Sequence, residues 1–441
     1  MLHLPNPAFR WNSSSVPSGG NRSPTRPAQA IRDSGRVVGA TSSPLGRLAF
    51  ALFCLFVFAI PWENSLMFPG VLTVSHVLGL IALPVAILAI LESRQLRCVC
   101  VPLALMALFV AWGSLSFFWT VDPQATTIQT TSWIENLGMV LLILELANRR
   151  ARQLVLMRAY VLGTLVSSGD TILSYLRRST AYYERYAASG FDPNELGLLL
   201  AMSLPLSLYL STIDRNRFMV WVYRLQLMMA LVAIGLTSSR AALFATLVAL
   251  LYAPLVLVRV TFRQKCALLL VGAVIISSAL AFLPETSWKR WEGVSRELAQ
   301  GTWGQRKAIW SAGLELNRMY PIAGIGAGAF PAGTERIMGR GIVAHNTFLS
   351  VLVEEGVIGL VLFLTVLLSL VLPALQLPSL ERDLWLVLFA TWVTGVNSLT
   401  WETRKPTWLL FGLLAGWLAT TPAFRRNTAR WPAPTVACRA I

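Results

Sequence analysis

Only 13% of the 441 residues are charged, against roughly 25% in soluble domains. With 55% of the chain hydrophobic, that deficit excludes a soluble globular protein. Cysteine is sparse: Cys54, Cys98, Cys100, Cys266 and Cys438 form no C-x-x-C, and Cys98-Val-Cys100 is too short for a metal site. No disulfide framework is expected. The six aspartates make no D-x-D, and neither H-E-x-x-H nor a Walker A motif occurs. The chain therefore carries no signature of a divalent metal or of ATP, and neither cofactor nor metal is expected. Strict alternation of apolar and polar residues is missing, which excludes a membrane β-barrel. The net charge of +16 is spread over tails, span ends and loops. It builds no basic domain, so nucleic acid is not an expected partner.

What is present is a series of apolar runs long enough to cross ~30 Å of hydrocarbon. They fall near 46–62, 68–92, 99–119, 133–148, 152–172, 195–212, 218–237, 241–259, 265–283, 356–377, 383–399 and 406–422. The expected fold is an all-α polytopic membrane protein of about twelve spans. Residues 1–44, rich in Ser, Pro, Gly and Arg, read as a disordered tail. The run at 48–60 leads into PWENS without a small-x-small cleavage site, so a signal peptide is not expected. Residues 45–283 would hold nine spans, 284–343 one long loop, 344–424 a short surface helix and three spans, and 425–441 a second tail. Lys and Arg collect in the first tail, in ESRQLR, NRRAR, DRNR and RVTFRQK, and in the last tail. With twelve spans these share one side, the cytoplasmic one, and both termini lie there.

The opposite face carries arginines that break this pattern. Arg240 stands in LTSSRAA between two apolar runs, and Arg185 in YYERYAASG. Arginines in short outer loops suit an anion, which they grip bidentately; contact with lipid phosphates or carbonyls is the alternative. In the long loop, Thr302 and Gln305 form a capping box. The helix they start would show Trp303, Trp310 and Leu314 on its apolar face, with Arg306 beside Trp310. It would lie at the membrane surface and aim Arg306 at a lipid diphosphate. Gly324, Gly326 and Gly328 in PIAGIGAGAF read as a tight turn, with no strand before them and no G-K-[ST] after. His345, one of three histidines, then opens HNTFLSVLVEEGVIGL. A short helix over 345–354 followed by a span from 356 would put His345 at a helix N-terminus. The dipole there keeps the imidazole neutral, as a general base requires; an N-cap or a hydrogen-bonded core histidine is the plainer reading. Ser239, Trp310 and Asn346 are expected in support. Asp192, Pro193 and Glu195 explain themselves as helix-start residues, leaving Asn194 a minor candidate. Asp170 is an acid inside a span. Trp401 and Trp408 flank Arg404 and Lys405 as an interfacial belt would.

Taken together, TSSRAA, F-D-P-N-E-L-G-L, R-x-x-x-W leading to P-x-x-G-x-G-x-G-x-F, and H-N-x-x-x-x-x-x-x-E-x-G resemble the O-antigen ligase and O-antigen polymerase superfamily. The motifs cover about residues 185–360. The resemblance implies a GT-C-type, inverting glycosyltransferase at the periplasmic face of a Gram-negative inner membrane. Its partners would be a glycan on undecaprenyl diphosphate as donor and lipid A–core as acceptor. His345 would be the catalytic base, and Arg240, Arg306 and Arg185 would bind the diphosphate in place of a metal. One late, long loop favours a ligase over a polymerase. A protein O-oligosaccharyltransferase, or a flippase of the same lipid, are the other readings. A flippase should show inverted repeats and helices broken at mid-membrane, and none is evident.

Overall fold

The computed structural model describes residues 43–68, 72–93, 100–179, 185–257 and 306–421. The elements are α1 (Pro44–Ala59), β1 (Met67–Phe68), β2 (Leu72–Thr73), α2 (Val74–Ser93), α3 (Val101–Leu115), α4 (Pro123–Leu146), α5 (Arg150–Leu176), α6 (Pro193–Ile213), α7 (Arg217–Thr237), α8 (Arg240–Leu250), α9 (Tyr252–Leu257), α10 (Arg306–Met319), α11 (Phe330–Met338), α12 (Thr347–Ala374), α13 (Ser379–Val396) and α14 (Lys405–Thr420). Among the described residues the one departure from helical elements is the antiparallel β1–β2 pair, with Met67 opposite Thr73.

Several apolar helices make this a multi-pass membrane protein. Among the described residues six are long and apolar enough to cross a bilayer: Pro44–Ser65, Val74–Ser93, Val101–Phe118, Pro193–Ile213, Arg217–Thr237 and Thr347–Ala374. The remaining expected runs at 133–148, 152–172, 241–259, 383–399 and 406–422 also coincide with helices. These are shorter, or carry more polar residues. The run at 265–283, both tails and the capping box at 302–305 lie outside the described residues.

The core lies around α6, which packs against α5, α7, α8 and α13. It buries residues on every face, from Pro193 through Leu196–Ser207 to Leu210. A helix apolar all round can persist only when enclosed in this way. Inside, Gln226 of α7 donates to Thr164 of α5 at 2.9 Å and to Ser203 of α6 at 2.7 Å, and accepts from Ser207. Such interhelical bonds add about 0.6 kcal/mol each, but they also spare a buried amide the larger cost of having no partner. By contrast, α2 turns Leu80, Ile81, Leu83, Ile87, Leu88 and Leu91 outward, the surface that lipid would cover.

Two expectations about surfaces are corrected. Trp401 and Trp408 are 1% and 2% exposed, so they belong to the core and to no interfacial belt. The Trp408 indole N–H donates to the Glu402 carbonyl at 2.7 Å, which satisfies its polar edge inside. The buried face of α10 is Ile309, Ala312, Gly313 and Leu316, while Leu314 is 48% exposed. Small residues decide which side approaches: a Cβ at Gly313 would already meet the Phe330 ring at 3.0 Å.

Candidate active site

The site is assembled around the start of α12. Asn346 is the helix N-cap, its Oδ1 accepting from the Leu349 N–H at 3.0 Å. His345 therefore precedes the cap instead of opening the helix, a correction of one residue. Its φ of +49° is left-handed, a conformation that costs a non-glycine residue and must be held by its surroundings. At the far end of this segment α12 breaks at Gly356, φ +69° and ψ −170°, where the break was expected.

The glycine-rich turn holds this half-helix from one side. Gly324, Gly326 and Gly328 have φ of +70°, +105° and +73°. Between them, Ile325 N–H donates to the Val353 carbonyl at 3.0 Å and Gly326 N–H to the Glu354 carbonyl at 2.9 Å. The Glu354 carboxylate then accepts from Gly328 N–H at 2.9 Å, Phe330 N–H at 3.2 Å and the Gln129 amide at 2.7 Å. A run of backbone amides of this kind cradles an anion. Here the cradle holds the chain's own buried Glu354 carboxyl group. Glu354, expected only as the last residue of the short helix, is the peg on which the turn hangs.

The stretch between α13 and α14 holds the half-helix from the other side. His345 N–H donates to Thr400 Oγ1 at 3.0 Å. Thr347 Oγ1 donates to the Leu399 carbonyl at 2.9 Å and accepts from Trp401 N–H at 2.8 Å. The Asn346 amide reaches Asn397 at 3.5 Å. The same stretch receives Arg306, whose Nη1 donates to Ser398 Oγ at 3.1 Å and Nη2 to the Ser398 carbonyl at 3.4 Å. Trp310, one turn on from Arg306, donates its indole N–H to the Ala344 carbonyl at 3.1 Å, beside His345.

A second knot sits at the start of α6. Asp192 caps it, accepting from Asn194 and Glu195 N–H at 2.8 and 3.3 Å, with Pro193 in the first turn. Arg185 is 7% exposed. Its Nε donates to the Thr237 carbonyl at 2.7 Å and its Nη2 to Asn194 Oδ1 at 2.9 Å. Ser239 Oγ donates to the same Asn194 oxygen at 2.8 Å and caps α8 through Ala242 N–H. Ser238 takes the left-handed φ of +50° needed for the sharp α7–α8 turn, and half-buried Arg240 starts α8 directly after it. Asn194 is thus the hub that ties Arg185 to the turn presenting Arg240. Asp170 lies elsewhere, accepting from Ser189 N–H at 2.7 Å and Ser65 at 3.3 Å.

Electrostatics connects the two groups. Burial, and then the positive charge of Arg306, hold the His345 imidazole below its ordinary value, while Asp192 pulls it upward. Desolvation and the neighbouring guanidinium thus both favour the neutral ring near pH 7. Among the described residues no three His, Cys, Asp or Glu side chains are grouped as metal ligands.

Residues 225–364 match the family model described as O-Antigen ligase. That region includes Ser239, Arg240, Arg306, Trp310, His345 and Asn346, while Arg185, Asn194, Ser398 and Thr400 lie outside it. No curated protein matches the chain.

Proposed function

We propose that this protein is an O-antigen ligase, transferring a glycan from undecaprenyl diphosphate to lipid A–core at the periplasmic face of the inner membrane of a Gram-negative cell. Both termini lie in the cytoplasm in this reading. The observation that carries it is the convergence of a neutral histidine and an arginine on one short segment, Ser398–Thr400, within and beside the region matching the ligase family. His345 takes the proton from an acceptor hydroxyl. The oxygen attacks the anomeric carbon as the bond to the diphosphate oxygen breaks, and undecaprenyl diphosphate leaves with inverted stereochemistry at the sugar. Arg306 and Arg240 neutralise the charge that grows on the leaving diphosphate, the role of fixed donors at a developing oxyanion. Arg185 has the weaker part in that set, since two of its nitrogens already frame the Arg240 turn.

The chemistry draws its energy from the donor's phosphoester bond and asks for neither nucleotide nor metal. Purified full-length protein, a lipid-linked glycan donor and lipid A–core should give a gel shift in excess EDTA and without ATP. Activity lost in EDTA and restored by Mg²⁺ or Mn²⁺ would overturn the arginine mechanism. Elongation of a second lipid-linked glycan, with lipid A–core left unmodified, would make the protein a polymerase.

A further inference from the structure

The segment Asn397–Trp401 lies between two apolar helices and contains no titratable group. It nevertheless touches more of the site than any other loop described above. Residue by residue, Asn397 faces Asn346, Ser398 takes Arg306, Leu399 and Trp401 clasp Thr347, and Thr400 takes the His345 N–H. Base and guanidinium come from elements separated by two turns and a helix, yet they are hung two residues apart on one short turn of backbone. We propose that Thr400 and Ser398 are positioning residues, and that this segment sets the separation of the His345 imidazole from the Arg306 guanidinium.

Two features suit the segment to this task. It is anchored from behind: the Trp133 and Trp408 indoles donate to the Glu402 carbonyl at 3.2 and 2.7 Å, Asn136 to the Thr403 carbonyl at 2.8 Å, and Thr407 to the Trp401 carbonyl at 2.9 Å. A contact to this stretch is thus a contact to α4 and α14 as well. And the bond that Thr400 accepts comes from His345, whose backbone is held in the left-handed region. Releasing that N–H lets His345 relax toward an ordinary φ and swings the ring away from Arg306. A misplacement of about 1 Å in a reacting group costs on the order of 10² in rate.

The inference rests on the ligase reading, and the experiment separates the two. Full-length variants are assayed with undecaprenyl-diphosphate-linked glycan and lipid A–core from pH 5 to 9. Thr400→Val keeps the shape and removes the acceptor. It should lower kcat about 10- to 100-fold while the donor KM stays within about 3-fold. Its acid limb should move to higher pH, because a ring further from Arg306 and more solvated protonates more readily. Thr400→Ser, which keeps the hydroxyl, should return kcat and the acid limb to near wild type. Ser398→Ala should act on the other quantity, raising donor KM about 3- to 10-fold, with Ser398→Thr restoring it. Equal kcat and acid limb in Thr400→Val and wild type would overturn the proposal. So would Thr400→Val and Thr400→Ser impaired alike, since that marks packing and not the hydrogen bond. If Thr400→Val does not elute with wild type in detergent, Ser398→Ala decides, and an unchanged donor KM overturns the proposal. His345→Ala in the same assay tests the parent reading: full turnover there removes the ligase mechanism whatever Thr400 does. An inactive His345→Ala beside a normal Thr400→Val removes only the positioning role.

Discussion

Two arginines at this site are held in opposite ways. Arg185 is almost fully enclosed, with Nε and Nη2 committed to Thr237 and Asn194. Arg306 is half-buried and donates to Ser398 through Nη1 and Nη2. A guanidinium owns five donors in a rigid fork, so its partners in the folded chain decide what else it can do. Arg185 spends its fork on joining α6 to the α7–α8 turn. Arg306 is oriented by a hydroxyl and a carbonyl beside a neutral histidine. Identical side chains thus serve architecture in one place and, in the reading proposed, chemistry in the other.

The sharpest way to break that contrast begins with the base. His345→Ala should reduce glycan transfer by about 10² to 10⁴ with donor binding retained, read by turnover beside a donor-binding measurement; near-normal turnover removes the assignment. Next come the arginines. Arg306→Lys and Arg240→Lys should each rescue poorly, with kcat/KM down by about 10- to 100-fold, because lysine offers a point charge without the planar fork. Arg185→Lys should show its main loss in thermal stability of the solubilised protein, since a partner amide and carbonyl are left in the interior. If Arg185→Lys keeps its melting temperature and loses catalysis as fully as Arg306→Lys, the contrast fails.

The smallest effect expected is electrostatic. Activity needs neutral His345, so the acid limb of kcat/KM marks protonation of the ring and should lie below the usual ~6.5, as its burial and Arg306 dictate. Asp192 opposes that shift. Asp192→Asn preserves the cap, because asparagine caps as well as aspartate, and removes one negative charge. The limb should then move to still lower pH. Movement to higher pH would mean that Asp192 does not act on His345 through charge.

How much of this could be read from the chain follows from how residues stand out. Histidine and arginine are conspicuous in an apolar sequence, so His345, Arg306 and Arg240 could be named from their contrast with what surrounds them. Helix positions were equally legible, because twenty apolar residues have few other uses. Ser398 and Thr400 carry no such contrast. Small hydroxyls are common at helix ends, and their meaning depends on partners 92 and 55 residues away. Glu354 was missed for another reason: it reads as the end of a short helix, while its carboxyl group also organises a turn some two dozen residues earlier in the chain. On α10 it was Leu314 that drew attention to the wrong side, since Ala312 and Gly313 govern close approach.

The break at Gly356 carries a mechanical consequence. An uninterrupted helix from Thr347 to Ala374 would measure ~42 Å, well beyond the hydrocarbon, whereas Val357–Ala374 measures ~27 Å. The amides released at the break are taken by Pro321 and Ile322 carbonyls, at 2.9 and 3.4 Å, and a Cβ on residue 356 would press into the Ile322 carbonyl. The lower piece thus keeps a length that matches the hydrocarbon, while the upper piece is held between the glycine turn and the Asn397–Trp401 segment. One continuous stretch of chain is thereby divided in two, like a post and the bracket fixed to its top: a membrane span below, and above it the short helix that carries His345 and Asn346 at its start.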